Sequence, residues 1–539
     1  DLLPEQLADL VRGITFSKSM QWVAGGLRFA RPVRWLCAKL DGETLSVDLD
    51  GVPSLGVSYG HRFGSGEIDV AHAGTYLDSL RRGGVEPDAE ERRRAIVAGL
   101  DATGAWRDPG GKLEEVVYLV ESPVVLAGSF EERFLQLPAR VVETAMQSHQ
   151  RYFPLGGNRF AFVANGGDPD VVRAGNEQVL ESRLEDASFT FERDVEVGIE
   201  GLAGRLGSIT FVAGARSFAE KSERLVRLVE ALGGGEASTE AARLAKADQA
   251  AELVREFPDL EGHIGAEYAR LAGYPEAVCA AIEEQYLPDS ARGALPDTES
   301  GRVLAAAEKV DNLTVAFALG RRPSGSRDPY GLRRAAIGLC RLAYEARMRI
   351  DMNELSAVAY RLLLEQGVDV RDEPADLPDF VAERFEGMLD VPVEFVRAAR
   401  ASGMTELRTL ATLAAVLAGL DDERLGRLHT AFSRAHRLAG KAEEQAAATL
   451  DAGLLVEDAE RAVVATLAHA EPAIADALAD LDIPAAIEAA LELAAPVDRF
   501  FDEVLVMADD AAVRANRLRL LLDVRDALGR LGDFSEIPR

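Results

Sequence analysis

The chain has 539 residues and a formal net charge of −30, from 90 acidic and 60 basic residues. One hydrophobic core cannot serve a chain of this length, so we expect three or four domains. The acidic balance argues against a protein that coats nucleic acid with its whole surface, although it permits local basic patches.

The cysteine usage and the hydropathy pattern indicate a compartment. Cys37, Cys279 and Cys340 are an odd, scattered set in apolar surroundings, which is typical of reduced core residues. No apolar run approaches the roughly 18–20 residues that span a bilayer, and no signal peptide is visible. We therefore expect a cytoplasmic protein with no membrane partner. The first residue is Asp1 and not Met, which indicates that the natural N-terminus is missing.

The first 175 residues mix strand and helix signals. Strands are predicted at 33–40, 44–49, 116–126 and 160–164, the first two joined across Asp41-Gly42 as a hairpin. Helices are predicted at 71–82, 88–103 and 138–150, with Asp88 and Pro138 as start signals. This mixture favours an α+β domain.

From residue 176 onward helical periodicity dominates. Helices are predicted at 181–204, 213–232, 239–256, 264–271 and 275–285, followed by a helix–loop–helix over 301–341. A second helical group covers 350–420 and is interrupted by an acidic loop at 369–378. A third covers 421–539, with breaks expected near 470–472 and at Pro484. The predicted fold class is thus multidomain and mainly α.

The segment 301–341 carries a basic island in an acidic chain. Two apolar helical series flank a loop that is punctuated by Gly320, Pro323, Gly325 and Pro329. Between the two apolar faces, Asp328 is the only acid among six arginines: Arg321, Arg322, Arg327, Arg333, Arg334 and Arg341.

The C-terminal group contains an acidic run and then a basic helix. Residues 471–510 hold eleven acids against the single base Arg499, which we interpret as a solvated face. Five arginines then follow on one predicted helix: Arg514, Arg517, Arg519, Arg525 and Arg530.

Motifs for catalysis, metal binding and cofactor binding are not found. The glycine-rich stretch at 110–113 lacks the upstream glycine and the Ser/Thr of a phosphate-binding loop. The seven histidines never stand in ligand pairs, and His429 and His436, seven residues apart, are interpreted as packed or surface residues. The sequence therefore predicts no catalytic residue, no metal site and no cofactor bound by this chain.

Longer phrases are more informative than these motifs. They include FARPVRW at 29–35, HQRYF at 149–153, EFPDLEG at 256–262, SRDPYGLRR at 326–334 and FFDEVLVM at 500–507. Together with other collinear phrases between Ser19 and Ile537, they make the chain resemble the beta subunit of bacterial tetrameric glycyl-tRNA synthetase. The resemblance covers nearly the whole chain, except that the N-terminal segment of that family is lacking.

The resemblance implies a division of labour. In that family the alpha subunit carries the active site, where ATP and Mg are expected, and the beta subunit binds tRNA(Gly) within a cytoplasmic alpha2beta2 assembly. It also implies a B3/B4-like α+β domain at 1–175 and an HD-like helical domain at 176–349. A helical linker domain at 350–420 and a DALR-like, anticodon-binding helical domain at 421–539 follow.

The HD-like region tests whether an ancestral metal phosphohydrolase survives. Lys246-Ala-Asp248 stands where a His-Asp pair is expected, and a lysine cannot replace a neutral imidazole ligand. Glu308 stands where the family usually has Asp, which leaves His263, Asp248 and Asp311 as scattered candidates. We expect no hydrolase. A metal-dependent HD-type phosphohydrolase and a non-catalytic helical scaffold are the two alternatives.

The hypothesis for this chain is a tRNA clamp built from arginine forks, which suit phosphate. The predicted tRNA-binding residues form two patches: Arg321, Arg322, Arg327, Arg333 and Arg334 in the loop, and Arg514, Asn516 and Arg517 near the C-terminus. The alternative is that some of these arginines pair with Asp328, Glu308 or Asp311 and hold helices together. For Arg333 and Arg334 both interpretations stay open.

Overall fold

The computed structural model describes residues 2–22, 26–64, 66–323, 328, 330–439 and 443–538. Its backbone divides into two compact units. The first, called here the mixed unit, comprises Asp1–Arg193 and Glu256–Leu260; the second, the helical unit, comprises Asp194–Arg255 and Glu261–Arg539. Most described residues are helical, which confirms the predicted mainly α class.

The strands that the structure describes all lie in the mixed unit. They are β1 Met20–Gln21, β2 Arg28–Phe29, β3 Leu36–Cys37, β4 Lys39–Leu40, β5 Glu43–Thr44, β6 Asp48–Leu49, β7 Val52–Leu55, β8 Val57–Tyr59, β9 Glu67–Asp69, β10 Pro123–Ser129, β11 Phe153–Gly156 and β12 Arg159–Asn165. The longest strands form an antiparallel sheet of order β10–β12–β11, in which Pro123 lies opposite Asn165. The predicted hairpin across Asp41-Gly42 is confirmed in a short form, because only β4 and β5 pair there.

The mixed unit also contains helices. They are α1 Leu3–Arg12, α2 Tyr76–Arg82, α3 Ala89–Thr103, α4 Leu113–Val117 and α5 Ala139–Gln147, and α6 Pro169–Ala203 contains the boundary between the two units. Asp88 starts α3 as predicted, because its carboxylate accepts hydrogen bonds from the first free N–H groups of the helix. Ile96 and Leu100, one turn apart on α3, are fully buried in a core with Phe153.

The strand predicted across 116–126 is wrong in its first half. The carboxylate of Asp108 accepts a 2.9 Å hydrogen bond from the N–H of Leu113, which begins α4 there. Val117, at the end of that helix, is fully buried in the core of the unit. Burial of Val116 and Val117 thus selects a helical turn in a segment of strand-like composition, and the strand begins only at Pro123.

The helical unit is an assembly of packed helices. They are α7 Phe218–Ala231, α8 Glu236–Leu244, α9 Glu252–Glu256, α10 His263–Leu271, α11 Glu276–Glu284, α12 Glu299–Ala318, α13 Leu332–Tyr344, α14 Met352–Glu365, α15 Leu377–Ala382, α16 Val393–Arg400, α17 Leu407–Ala418, α18 Asp422–Ala439, α19 Asp458–Ala479, α20 Ile483–Leu491, α21 Ala494–Glu503 and α22 Ala511–Gly529. Helix α12 is buried along most of its length and packs against α7, α8, α11, α13 and α14. The predicted helix–loop–helix over 301–341 is confirmed as α12 and α13.

Two helix predictions in this unit are wrong in opposite directions. The predicted helix 239–256 is interrupted between α8 and α9 by a turn in which Lys246 and Asp248 are buried. The break expected near 470–472 does not form, because α19 runs through Pro472. Contacts with α20, α21 and α22 hold α19 together despite the missing N–H. The break at Pro484 is confirmed, since α20 begins at Ile483 with proline in its first turn.

One described helix, α19, is long and apolar enough to cross a membrane by length and composition alone. It packs against three other helices of its unit and carries the buried carboxylate of Glu460. These contacts are those of a helix inside a folded domain.

Candidate nucleic-acid interface

The arginine loop, residues 319–334, is shaped at both ends by backbone geometry. Gly320 has φ 68°, in the left-handed region where glycine carries no steric penalty, and this ends α12. At the other end, the two carboxylate oxygens of Asp328 each accept a 2.8 Å hydrogen bond, from the N–H of Leu332 and of Arg333. The predicted lone acid of the loop therefore caps α13 with its charge, next to the positive end of the helix dipole.

Arg321 and Arg322 are held over aromatic rings. Arg321 donates a hydrogen bond to the carbonyl of Ala213, and its guanidinium lies 5.5 Å from the ring centroid of Tyr330, which is 51% exposed. Arg322 is exposed, pairs with Asp376 at 2.9 Å and lies 5.4 Å from the ring of Phe317. Cation–π contact and a single surface ion pair orient these side chains, of which Arg321 is half-buried and Arg322 exposed.

The remaining loop arginines differ in exposure. Arg334 is exposed at the start of α13, and Arg333 beside it is half-buried. Arg327 lies outside the described residues. The alternative in which Arg333 or Arg334 holds Glu308 or Asp311 is not supported, because those two carboxylates are buried and paired with other cations, as described below.

The C-terminal patch is turned inward at two of its three residues. Asn516 is 1% exposed; its amide donates to the carbonyl of Asp451 at 3.0 Å and accepts from the N–H of the same residue at 2.7 Å. Arg517 is 7% exposed, and its Nε donates to Glu460 at 2.6 Å while Nη1 donates to the carbonyl of Leu505 at 2.8 Å. These polar atoms are committed within the fold, and contact of Asn516 and Arg517 with tRNA stays a prediction.

Arg514 is half-buried and also serves the fold. Its Nη1 donates to the carbonyl of Ala508 at 2.7 Å. Its contact with tRNA stays a prediction. The turn 514–517 therefore ties the backbone at Asp451, Leu505 and Ala508 to helix α22.

A signal for the inward orientation was present in the sequence. Asn516 and Arg517 precede Leu520, Leu521 and Val524 by the three- and four-residue steps that place side chains on one helical face. Those three apolar residues are buried. A polar residue that shares the apolar face of a helix is a candidate for a buried hydrogen-bonding role.

The largest group of buried charges lies between α7, α12 and the turn after α8. We call it the buried charge cluster: Lys221, Arg224, Lys246, Glu308 and Asp311. Lys221 Nζ lies 2.9 Å from Asp311 and 3.1 Å from Glu308, and Lys246 Nζ lies 3.1 Å from Glu308. Arg224 Nε donates to Asp311 at 2.6 Å. Three cations thus hold two carboxylates with little access to water.

The charge cluster sets the ionisation of its acids. Burial alone would raise the pKa of Asp311, but Arg224 and Lys221 outweigh it and lower that pKa to about 2. Lys221 and Lys246 likewise outweigh burial and lower the pKa of Glu308. For Lys246 burial dominates, and its pKa is lowered.

Asp248 behaves differently from its neighbours. Burial raises its pKa to about 7, even though its Oδ2 accepts a 2.6 Å hydrogen bond from the N–H of Gly262. Its other oxygen, Oδ1, has no hydrogen-bond partner. A fully buried carboxyl with one unsatisfied oxygen favours the protonated form.

The buried charge cluster does not have the composition of a metal site. Within the described part of the chain, no group of three or more His, Cys, Asp and Glu side chains is arranged to hold a metal ion. His263, a scattered candidate, instead has its Nδ1 2.8 Å from Glu283. At Glu308 and Asp311 the positive charge is supplied by lysine and arginine side chains.

Comparison with known proteins assigns the family. A family model described as glycyl-tRNA synthetase beta subunit matches residues 1–401, and a DALR anticodon binding domain model matches residues 428–533. The chain is 36% identical to the glycine–tRNA ligase beta subunit of Nitratidesulfovibrio vulgaris (strain DP4), over 100% of this chain and 82% of that protein.

Relatives from other bacteria agree. The corresponding subunit of Anaeromyxobacter dehalogenans (strain 2CP-C) is 37% identical, over 99% of this chain and 80% of that protein. That of Clostridioides difficile (strain 630) is 33% identical, over 100% and 81%. The chain therefore belongs to the glycyl-tRNA synthetase beta subunit family.

Proposed function

We propose that this chain is the tRNA-binding subunit of a glycine–tRNA ligase. It binds tRNA(Gly) and presents it to an alpha subunit, which holds the ATP- and Mg-dependent active site for glycine. Family membership over the whole chain and the anticodon-binding match at 428–533 support this function. Assembly as alpha2beta2 in the cytoplasm, with no cofactor on this chain, belongs to the same proposal.

We also propose the finer domain assignment: a B3/B4-like domain at 1–175, an HD-like domain at 176–349, a linker at 350–420 and a DALR-like domain at 421–539. The buried charge cluster supports a retired phosphohydrolase within the second of these. Ammonium groups of Lys221 and Lys246 neutralise Glu308, where a working enzyme of that class would need divalent cations. No observation favours the phosphohydrolase alternative, and the family match argues against a scaffold unrelated to tRNA.

The arginine loop carries the proposal for RNA contact. A chain of net charge −30 repels RNA over most of its surface, so binding requires a local basic face. The loop presents Arg322 and Arg334 exposed, with Arg321 oriented beside them by Tyr330. Asp328 directs its carboxylate at backbone N–H groups of α13, and Asp376 pairs with Arg322 at 2.9 Å.

A double substitution tests this function. Arg322→Ala with Arg334→Ala should weaken binding of tRNA(Gly) and lower kcat/KM for aminoacylation in the presence of the alpha subunit. The slope of log Kobs against log salt should become shallower by roughly 1.5, since each lost phosphate contact removes about 0.7–0.9. Filter binding at four salt concentrations measures the affinity for tRNA(Gly) and the salt slope. Aminoacylation assays with the alpha subunit measure kcat/KM.

The matched control removes two exposed arginines elsewhere in the helical unit. Arg227 and Arg243 each pair with a glutamate three residues away, and their side chains are both 62% exposed. Arg227→Ala with Arg243→Ala should leave the salt slope unchanged. Equal slopes for wild type and the Arg322/Arg334 variant would exclude the arginine loop from RNA binding.

A further inference from the structure

A small cavity lies under the arginine loop, within the helical unit. Its volume is about 280 Å³, near the lower end of ligand pockets. Val315 and Ala316 of α12 form part of its apolar floor, and Phe211, Asn312, Arg321 and Tyr330 stand around it. We call it the Tyr330 pocket. Its size suits one flat ring system and not a complete nucleotide.

The walls of the Tyr330 pocket are two aromatic rings and one guanidinium. Tyr330 is half exposed, and Arg321 lies over its ring. Arg321 also donates to the carbonyl of Ala213, two residues from Phe211 in the chain. Aromatic rings and arginine planes are the surfaces on which unstacked nucleobases stack.

The aromatic wall at Phe211 is fixed by contacts behind it. Its ring packs edge-on against Phe218, with centroids 5.3 Å apart, and Lys221 Nζ lies 4.2 Å from its centroid. Lys221 is itself held by Asp311 and Glu308. The wall is therefore preorganised, which limits the ordering that a ligand would require.

One polar group with free hydrogen-bonding capacity faces the cavity. Asn312 accepts a 2.8 Å hydrogen bond from Lys221 Nζ and donates a 3.1 Å bond to Glu308. A side-chain amide has two acceptor lone pairs and two N–H donors, so these contacts leave one acceptor and one donor. The amide is half-buried, and its two fixed partners define its orientation.

We infer that the Tyr330 pocket receives one unstacked base of the bound RNA. The base stacks against Tyr330 or Phe211, its polar edge bonds to Asn312, and the adjoining phosphate lies at the arginine loop. This inference rests on the proposed function and deepens it, because it adds a base-binding site to a phosphate-binding face. A free nucleotide offers the same ring and phosphate, and the experiment below separates the two sources.

Two substitutions test the pocket from opposite sides. Tyr330→Ala removes a stacking surface, whereas Ala316→Leu fills the floor and leaves both aromatic rings in place. Each should weaken tRNA(Gly) binding by the full chain about five- to hundredfold, the range for loss of one stacked base. The salt slope should stay as in wild type, because stacking releases few counterions. Tyr330→Phe should retain wild-type binding.

The control for losing any exposed aromatic ring is Tyr118→Ala. Tyr118 is 69% exposed and lies in the mixed unit, so this variant should bind tRNA as wild type does. Wild-type affinity in both Tyr330→Ala and Ala316→Leu overturns the inference. If the Arg322/Arg334 variant still flattens the salt slope, the proposed function stands without the pocket; if it too binds as wild type, the arginine loop is also excluded from RNA binding.

A base-removal scan identifies the source of the ligand. In this scan, each transcript of tRNA(Gly) carries one abasic nucleotide, placed at successive unpaired positions. One of these transcripts should bind the wild-type protein weakly, and the Ala316→Leu substitution should not weaken its binding further. That result places a tRNA base in the pocket. Titration with AMP supplies the other arm: AMP binding that Ala316→Leu abolishes, with tRNA affinity unaffected, would make this a free-nucleotide site and overturn the inference.

Discussion

Two arginine-bearing segments of the helical unit, the loop 319–334 and the turn 514–517, differ in where their arginine side chains lie. In the loop, Arg322 and Arg334 reach solvent. In the turn, Arg517 is buried against Glu460 and the carbonyl of Leu505, and Asn516 is buried against Asp451. The first segment keeps two guanidinium groups exposed, whereas the second uses its donors to hold backbone.

The difference follows from what surrounds each segment. Arg321 and Arg322 follow α12, and the rings of Tyr330 and Phe317 attract their guanidinium groups while Arg322 stays exposed. The turn lies on a helix whose next apolar residues are buried, so its side chains enter the core with them. An arginine in the core needs a carboxylate and carbonyl oxygens, and Arg517 has both.

The largest effect expected from this comparison is on stability. Arg517→Ala leaves the carboxylate of Glu460 buried without its cation, which should cost about 3–5 kcal/mol in the free energy of unfolding of the C-terminal helices. Denaturant unfolding monitored by hydrogen exchange in α19 and α22 measures it. Arg519→Ala is the matched control, because its partner Asp523 is only partly buried; it should cost less than about 1 kcal/mol. Equal effects of the two variants would contradict the buried role of Arg517.

Burial also predicts how pH acts on the helical unit. The folded-state pKa of Asp248, about 7, lies above its unfolded value near 3.9, so between pH 4 and 7 the folded state keeps a proton that the unfolded state has lost. This term makes stability fall as pH rises through that window. Asp248→Asn should therefore gain roughly 2–4 kcal/mol over wild type at pH 8 and lose that advantage near pH 4.

Asp311 should make stability depend on pH in the opposite direction, so it serves as the control. Its folded-state pKa of about 2 lies below the unfolded value, so its stabilisation is present above pH 4 and lost as pH falls toward 2. Asp311→Asn should destabilise the unit at neutral pH. Thermal unfolding between pH 4 and 8 distinguishes the two carboxyls, and parallel curves for Asp248→Asn and wild type would refute the assignment for Asp248.

A smaller effect is expected at Asn516. Asn516→Ala leaves the N–H and the carbonyl of Asp451 without their partners, which should cost about 1–3 kcal/mol and speed hydrogen exchange around residue 451. Binding of tRNA(Gly) measured well below the unfolding midpoint should be unchanged. A variant that keeps its stability but loses tRNA affinity would restore Asn516 to the RNA-binding face.

Local rules predicted much of the fold, and tertiary burial decided the rest. The helix pair α12 and α13, the Asp88 cap and the Asp41-Gly42 turn follow from periodicity and turn chemistry within a few residues. The strand prediction for 116–126 was wrong in its first half because burial of Val117 selected a helix. The proline at 472 failed as a stop signal because packing outweighed one lost hydrogen bond.

The candidate site was predicted only in part, because local spacing does not show which distant residues pack together. Spacing located the arginine loop, because glycines, prolines and arginines mark a surface segment. Spacing did not show that Lys221 and Arg224 reach Asp311, nearly ninety residues away in the chain. Sequence spacing also did not predict that Phe211 and Tyr330 line the same cavity, because that arrangement depends on the packing of α7 and α12.

The turn 514–517 has a consequence for the order of assembly. The segments around Asp451 and Leu505 are synthesised before helix α22, yet their hydrogen-bond partners Asn516 and Arg517 belong to that helix. Both segments therefore lack these hydrogen bonds on the growing chain until α22 has emerged and docked. A substitution that slows docking of α22 should therefore delay both sets of hydrogen bonds together.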